Sequence, residues 1–198
     1  MNDISYKTRT DVANGINPFR FDAQEESRAS LRWLTGMWTL VDKTWTKELA
    51  AELQGKKCLE VFAGRGWLAQ ALLDHGVDVV ATSRFSGHDG SNAGLVADVI
   101  DMSAIQAVQN FDFDVLIMGW PPATEDAANA VIEAVRCGRK FKVVFIGEPY
   151  STHPGKLSGT GSDRLFEITK AEKEIRAYRL ARGDQGIDVC QILTVKQG

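Results

Sequence analysis

The chain has 198 residues, of which 44% are hydrophobic and 25% are charged, and its formal net charge is −3. This length and composition are those of an ordinary globular protein with one full hydrophobic core. The small acidic excess differs from the global basic charge of a protein whose main task is to bind nucleic-acid phosphates, although a local basic patch would still permit such binding.

No apolar run in the sequence approaches the roughly 18 residues that a membrane-spanning helix needs. The first fifteen residues, MNDISYKTRTDVANG, are polar and lack the apolar region of a secretory signal. We therefore expect a cytoplasmic protein with no membrane partner. The spacing of the three cysteines, Cys58, Cys137 and Cys190, matches neither a disulfide framework nor a metal-binding motif. The three histidines, His75, His88 and His153, form no metal-binding motif either, so no metal site is predicted.

The N-terminal quarter of the sequence predicts a polar arm over residues 1–21, followed by a helix. The helix is expected to begin at Asp22, where Glu25 completes a capping box. Its apolar face has spacings of three and four residues, through Leu31, Leu34, Trp38, Val41, Trp45 and Leu49. Because Gly36 and two β-branched threonines weaken this pattern, one long helix and two shorter ones both remain open. We expect Trp38 and Trp45 to pack in this extension rather than to form a site.

From Lys57 onward, strand-like runs alternate with helical ones. The predicted strands are Cys58–Phe62, Val77–Thr82, Leu95–Val99, Val115–Met118, Lys142–Ile146 and Ile187–Val195. The predicted helices are Trp67–Asp74, Met102–Val108, Glu125–Arg136 and Asp163–Leu180. This alternation predicts a Rossmann-like three-layer α/β sandwich over residues 56–198, with a mostly parallel sheet, helices on both faces, and an N-terminal helical extension in residues 1–55. Ligands bind such sheets at the carboxyl ends of the strands.

The first predicted strand runs into a glycine-containing turn and then a helix, with the sequence EVFAGRG. Glycine allows the backbone to turn sharply and to approach a ligand closely. The segment resembles motif I of class I S-adenosylmethionine (SAM)-dependent methyltransferases, an acidic residue followed by GxGxG, with phenylalanine in place of the first glycine. The resemblance implies that SAM is the cofactor and that it is held by Glu60, Phe62, Ala63, Gly64 and Gly66.

A glycine-rich loop also occurs in NAD-binding proteins, but two acidic positions favour SAM. Glu60 precedes the glycines, and Asp98 follows the third predicted strand, where it resembles the family's adenine-contacting carboxylate. The family's acidic ribose-binding residue at the end of the second strand is missing. Ser83 takes that place, and Asp89 is the alternative. An NAD-type oxidoreductase is disfavoured because no intact GxGxxG run is present.

The fourth predicted strand ends in a Gly-Trp-Pro-Pro sequence. It resembles motif IV of amino-methyltransferases, (D/N/S)PP(Y/F), whose polar residue and carbonyl groups bind the target amine and whose aromatic residue stacks on a flipped base. Trp120 replaces the polar residue and Ala123 the aromatic one. The resemblance implies that Trp120, Pro121 and Pro122 line the methyl-transfer pocket, with Gly119 beside the cofactor. The alternative is that Trp120 only packs on top of the sheet.

The fifth predicted strand ends at Gly147-Glu148, and a loop rich in glycine and serine follows. A carboxylate at a strand end can accept a proton or hold a cationic acceptor, so Glu148 is a candidate catalytic residue. The loop suits a mobile lid or an acceptor-binding element. The residue at its far end, Asp163, is expected to cap the next helix.

The sequence therefore predicts a SAM-dependent methyltransferase with an unidentified acceptor. The Pro-Pro motif slightly favours a nitrogen acceptor, carried by a small molecule, a protein or nucleic acid. Nucleic acid is not favoured, because the charge is near neutral and no separate recognition domain is present. The alternative is a non-catalytic Rossmann-like module that binds SAM or a nucleotide and acts as a regulator or partner. No feature of the sequence predicts an oligomeric state.

Overall fold

A seven-stranded sheet organises the chain. The computed structural model describes residues 35–85, 94–149, 159–182 and 188–196. The strands are β1 (Lys57–Val61), β2 (Asp78–Ser83), β3 (Val99–Asp101), β4 (Val115–Gly119), β5 (Lys142–Gly147), β6 (Thr169–Glu174) and β7 (Val189–Val195). Their order is β3-β2-β1-β4-β5-β7-β6. Strands β1 to β5 pair in parallel, whereas β7 is antiparallel to both β5 and β6.

Helices cover both faces of this sheet. They are α1 (Lys43–Leu53), α2 (Trp67–Asp74), α3 (Ala104–Asn110), α4 (Asp126–Arg136), α5 (Asp163–Ile168) and α6 (Arg176–Arg182). Buried residues of α1, α2 and α6 form one hydrophobic cluster with the sheet, and those of α3, α4 and α5 form a second one. Among the described residues, no helix is long and apolar enough to cross a membrane. The predicted three-layer Rossmann-like architecture is confirmed.

Side chains of the central strands alternate between the two clusters. In β1, Cys58 belongs to the α1–α2–α6 cluster, whereas Leu59 and Val61 belong to the α3–α4–α5 cluster. This two-residue period places Glu60 on the same face as Cys58. In the sheet register Glu60 pairs with Ala81 of β2 and Ile117 of β4. A carboxyl group is therefore held inside the core, next to the carboxyl end of β1.

The third strand is shorter and later than predicted. We expected it over Leu95–Val99, but β3 covers Val99–Asp101. Residues 95–98 instead pack against the turn after β1, where the backbone N–H of Val96 donates to the carbonyl of Arg65 (2.8 Å). The apolar pattern of this segment therefore reflects packing on a loop rather than pairing in the sheet.

The prediction of one helix over Asp163–Leu180 is wrong. The segment folds as α5, the edge strand β6 and then α6. Strand β6 pairs with β7, with a register shift between Ala171 and Lys173, and most of its side chains are exposed. Charged residues on an edge strand protect it from pairing with other chains. Pairing with β7 has overridden the local helical preference, which is a weak constraint on its own. The final predicted strand is confirmed over Val189–Val195, and residues 183–187 lie outside the described part of the chain.

A single helix through the N-terminal apolar positions is also wrong. Residues 36–42 are not helical, and α1 begins only at Lys43, where the Asp42 side chain accepts hydrogen bonds from two backbone N–H groups of the first turn. The arm and the predicted helix start at Asp22 lie outside the described residues. Trp45 is fully buried, as expected, and its ring packs edge-on against Tyr178, with the ring centroids 5.0 Å apart. Buried residues of helix α1, including Trp45, belong to the same hydrophobic cluster as residues of the sheet.

The turn between β1 and α2 depends on Gly66. This residue has a φ of +82° and precedes the first residue of α2. A Cβ atom here would lie 2.8 Å from Cγ2 of Val99 and 3.0 Å from Cβ of Ala97. Both the left-handed backbone and the close packing therefore require glycine. Gly138, after α4, shares the left-handed backbone (φ +73°), but a Cβ there would have no neighbour within 4 Å.

We predict that Gly66→Ala lowers the free energy of unfolding by about 3 kcal/mol, because it adds steric displacement of Val99 and Ala97 to the cost of a left-handed alanine. Gly138→Ala is the matched control and is expected to cost only about 1 kcal/mol, from the backbone alone. Urea unfolding of both variants measures the difference. Equal losses in the two variants would contradict the packing argument.

Candidate functional site

A cavity of about 530 Å³ opens at the carboxyl ends of β1, β2 and β4. This is the edge of a parallel sheet at which ligands bind. Its volume lies within the range of roughly 300–1,000 Å³ that is typical of small-molecule sites. Four parts of the chain far apart in sequence supply most of the wall, namely residues 36–41, the turn after β1, residues 102–105 before and in α3, and residues 119–123 after β4.

The turn after β1 presents its backbone to the cavity. Phe62, Ala63 and Gly64 line the wall, and Gly64 has a φ of +56° with no atom within 4 Å of the place where a Cβ would stand. The N–H of Ala63 donates to the carbonyl of Thr82 (3.0 Å), and that of Gly66 donates to the carbonyl of Ala63 (2.9 Å). These bonds fix the turn, so that a ligand can approach the backbone at Gly64 without meeting a side chain.

Two bulky residues of the cavity wall have left-handed backbones. Phe62 has a φ of +61° and Trp120 one of +51°, and each follows the end of its strand, β1 or β4. Such conformations cost of order 1–3 kcal/mol in residues other than glycine, and they concentrate at functional sites. Phe62 stands where the resembled motif has a glycine. At Trp120 the backbone N–H continues the ladder to β5 by donating to the carbonyl of Ile146 (2.7 Å).

Glu60 places a carboxyl group on the buried side of the cavity. Burial raises the pKa of Glu60 to about 8, an effect opposed in part by a hydrogen bond from the backbone of Ala69. Its Oε2 atom is buried and has no hydrogen-bond partner among the described residues. At neutral pH the group is therefore mostly protonated, and a cation bound nearby would favour its ionised form.

Thr39 contributes a second buried polar atom to the same wall. Its Oγ1 has no hydrogen-bond partner within the described part of the chain. A Cβ added to Gly119 would lie 3.3 Å from this Oγ1 and 3.9 Å from Oε1 of Glu60, so that both side chains flank the end of β4. Buried polar groups in proteins are nearly always paired, and a ligand or an ordered water is the usual partner when the protein supplies none.

Arg65 joins the turn after β1 to the N-terminal segment by hydrogen bonds. Its Nη1 donates to the carbonyl of Thr35 (2.5 Å), and its Nε donates to the carbonyl of Gly94 (2.6 Å). The indole N–H of Trp67 donates to the same Thr35 carbonyl (3.1 Å), and the guanidinium lies 5.8 Å from the centre of a Trp67 ring. These contacts hold residues 36–41 against the cavity.

The structure corrects our expectation for Trp38. We predicted that it packs within a helix, but it lies in the non-helical segment and lines the cavity. Its side chain is 39% exposed, and its ring centroid is 6.4 Å from that of Trp120, with the ring planes at 36°. Trp120 therefore does more than pack on the sheet, because it faces both the cavity and a second indole.

Most of the residues predicted for the site line this one cavity, namely Glu60, Phe62, Ala63, Gly64, Ser83, Gly119, Trp120, Pro121 and Pro122. Gly66 instead supports the turn by packing on β3. Asp98 was predicted to follow the third strand, but it is exposed, precedes β3 and does not line the cavity. Asp101 is the acidic residue that ends β3, and its side chain accepts a hydrogen bond from the N–H of Phe85 (3.0 Å). Asp89 lies outside the described residues.

Glu148 is not among the residues that line the cavity, and its catalytic role stays a prediction. Its backbone N–H donates to Oγ1 of Thr160 (2.9 Å), and its carbonyl accepts from the N–H groups of Gly159 (3.1 Å) and Thr160 (2.9 Å). Gly159 and Thr160 are therefore held against the residue that follows β5, and they line the cavity themselves. The loop that we interpreted as a lid falls largely on residues 150–158, which lie outside the described part of the chain.

Several lining residues were missed in the sequence. Met102, Ser103, Ala104 and Ile105 follow β3, and Ser103 caps α3 in a capping box with Gln106. The Ser-x-x-Gln spacing of Ser103 and Gln106 indicates the start of this helix. Because we expected the third strand to end at Val99, we expected the helix to begin at Met102 and missed the cap at Ser103. No local pattern in the sequence marks Trp38 or Thr39 as a cavity-lining residue, because the spacing of the apolar residues around them predicts a helix.

Solved methyltransferase structures resemble this chain at low sequence identity. The glycopeptide N-methyltransferase MtfA in complex with S-adenosylhomocysteine (SAH) gives a TM-score of 0.52 at 13% identity, over 79% of this chain and 91% of that one. Its complex with SAM gives 0.50 at 12% identity, over 78% and 94%. The mitomycin 7-O-methyltransferase MmcR gives 0.51 at 15% identity over 94% of this chain, which spans 62% of MmcR.

Comparison of the sequence with known families and with curated proteins gives no match. No model of a known protein family matches the chain, and no curated protein matches its sequence. At these identities the structural likeness concerns the fold. The chain has the Rossmann-like fold that is found in these methyltransferases.

Proposed function

We propose that this protein binds SAM in the cavity and transfers its methyl group to an acceptor. The observation that carries the proposal is the open, left-handed backbone of Gly64 beside the buried carboxyl group of Glu60. An acidic residue followed by a bare turn is what motif I supplies in the resembled family. The fold supports the same proposal, because structures of MtfA with this fold contain SAM or SAH.

The residues of the cavity suit this cofactor in charge and shape. The backbone from Phe62 to Gly64 would lie along the ligand, because no side chain blocks the approach at Gly64. Ser83, buried at the end of β2, offers a hydroxyl group for the ribose. The unpaired Oε2 of Glu60 would meet a positive charge of SAM. When bound, SAM supplies a methyl group that is activated for nucleophilic attack.

The protein's contribution to transfer would be binding, orientation and exclusion of water. Trp120, Pro121 and Pro122 form a wall of the cavity after β4. The carbonyl of Pro121 accepts a hydrogen bond from the N–H of Gly161 (3.1 Å), which ties this wall to the segment after β5. The carbonyl groups of Gly119 and Trp120 can accept N–H groups of an amine, which favours a nitrogen acceptor. Glu148 and Asp98 have no part in this proposal.

A non-catalytic binding module is the second candidate. It is favoured by the absence of an acidic residue at the end of β2, which reads Ala81-Thr82-Ser83 before the exposed Arg84. A protein of this kind would bind SAM or a nucleotide without consuming it. Turnover of SAM in the presence of an acceptor distinguishes the two functions.

We expect calorimetric titration to show micromolar binding of SAM and SAH and no binding of NAD. Gly64→Val should abolish SAM binding, because a branched side chain would fill the space beside the backbone. Gly138→Val is the matched control, since it places the same residue in a similar left-handed backbone away from the cavity. Binding of NAD alone, or unchanged SAM affinity in Gly64→Val, would refute the cofactor assignment.

The pKa of Glu60 predicts a pH dependence of SAM binding. A cationic ligand binds more tightly to the ionised carboxylate, so the affinity for SAM should rise severalfold from pH 6 to about pH 8, and binding at pH 7 should release protons. Glu60→Gln should remove this part of the pH dependence while keeping an acceptor for the N–H of Ala69. Titration of both proteins in buffers of different ionisation enthalpy measures the released protons. Identical pH profiles would show that Glu60 does not face the charge.

The same raised pKa predicts a change in stability without ligand. Because the pKa is about 8 in the folded protein and near 4.5 when exposed, the folded state holds a proton that the unfolded state loses between these values. The contribution of Glu60 to stability is thus full below pH 4.5 and is lost as the pH rises towards 8. Glu60→Gln should therefore match the parent protein at pH 5 and exceed its melting temperature at pH 9. Equal differences at both pH values would contradict a raised pKa.

A further inference from the structure

One end of the cavity has two flat aromatic walls that the proposed cofactor site does not use. Trp38 and Trp120 come from the N-terminal segment and from the end of β4, and their rings meet at a shallow angle of 36°. Trp38 lines the cavity and is 39% exposed, so part of its large apolar surface is accessible. Aromatic faces of this kind bind planar rings by stacking.

The position of both rings is imposed by other parts of the structure. Trp120 retains a left-handed backbone at which glycine would be relaxed, and its N–H is fixed by β5. Trp38 follows a segment that Arg65 and Trp67 hold through the carbonyl of Thr35. The two walls are therefore held in place before any ligand binds, which lowers the entropic cost of binding a rigid ring.

A buried hydroxyl group lies beside the end of β4, which Trp120 follows, and next to Trp38 in the chain. Thr39 is only 7% exposed, lines the cavity, and its Oγ1 has no hydrogen-bond partner among the described residues. A hydroxyl group can donate to a ring nitrogen or accept from an amino group. An unpaired buried hydroxyl group destabilises the folded protein, and a ligand with a polar edge would recover this free energy.

The charges around the cavity disfavour an acceptor that binds as an ion. Among the described lining residues, the acidic and basic side chains are Glu60, Arg84 and Asp126. Arg84 follows β2, at the other end of the cavity, and Asp126 is exposed and accepts a hydrogen bond from the Thr124 hydroxyl (2.9 Å). Glu60 is assigned to the cofactor. What remains at the two tryptophans is an uncharged wall of flat indole rings, whose polar groups include the Thr39 hydroxyl and the buried indole N–H of Trp120.

We propose that this end of the cavity is an acceptor subsite for a planar, uncharged aromatic ring with a nitrogen at its edge. The ring stacks against Trp38 and Trp120, and its polar edge meets Oγ1 of Thr39. The inference rests on the proposed function for the identity of the ring as methyl acceptor. It deepens that function by giving the acceptor a chemical class.

The test uses the full chain saturated with SAH, with quinoline as the planar probe and 1-decalone as a saturated bicycle that is also uncharged and keeps a hydrogen-bond acceptor, titrated by ligand-observed NMR. We expect quinoline to bind at least about tenfold more tightly than 1-decalone. Trp38→Ala should weaken quinoline binding by about tenfold, and Trp38→Phe, which keeps a flat ring, by no more than about twofold. Thr39→Val should weaken it severalfold, and Thr39→Ser should restore it. The affinity for SAH should stay within about twofold in the Trp38 variants.

The outcomes separate the acceptor subsite from the proposed function. If SAH binds but quinoline does not, or if 1-decalone binds equally well, the subsite is refuted and the cofactor assignment stands. If Thr39→Val lowers the affinity for SAH and leaves that for quinoline unchanged, the polar edge of the subsite is refuted. If quinoline binds in a Trp38-dependent way while SAH does not bind, the methyltransferase proposal fails and an aromatic-ligand site remains. Failure of both ligands refutes both proposals.

Discussion

The missing side chain of Gly66 is the constraint on which the site depends. Because no Cβ stands between the turn and β3, the segment ahead of β3 packs directly on the turn, and the carbonyl of Arg65 can accept the N–H of Val96. The same arginine then reaches the carbonyls of Gly94 and Thr35, on opposite sides of the turn. One tight turn thus positions the helix start, the third strand and the N-terminal segment, which together bound the cavity.

The cavity holds polar atoms that folding alone does not explain. Oε2 of Glu60 and Oγ1 of Thr39 are buried without a hydrogen-bond partner in the described chain, and a buried polar atom that stays unpaired lowers the stability of the folded state. A ligand that pairs with them would recover this free energy and would stabilise the folded state by mass action. Stability and binding are therefore linked at the same two side chains. Both side chains lie beside Gly119, because a Cβ there would be 3.3 Å from Oγ1 of Thr39 and 3.9 Å from Oε1 of Glu60, so the end of β4 is flanked by both polar groups.

The parts of the fold that the sequence predicted well are those in which burial sets the pattern. The strands beside β1 are covered on both faces, so they read as apolar runs, and helix α2 matches its prediction at both ends. The three-residue β3 is too short to show a period, and β6 owes its conformation to pairing with β7. The resemblance to known motifs pointed to the turn after β1 and to Pro121 and Pro122, which line the cavity. Trp38 was misplaced because its position depends on contacts made by Arg65, thirty residues away from Thr35 in the chain.

The departures from the resembled motifs coincide with the strained residues. Phe62 stands in place of a glycine and Trp120 in place of a polar residue, and these are the non-glycine residues with positive φ in the described chain. Glycine at either position would relax the backbone, so the retained rings indicate that their shape is used. Phe62 and Trp120 both narrow the cavity and make it more apolar. At the end of β4 the cavity therefore has a flat, apolar wall where the resembled motif has a polar side chain.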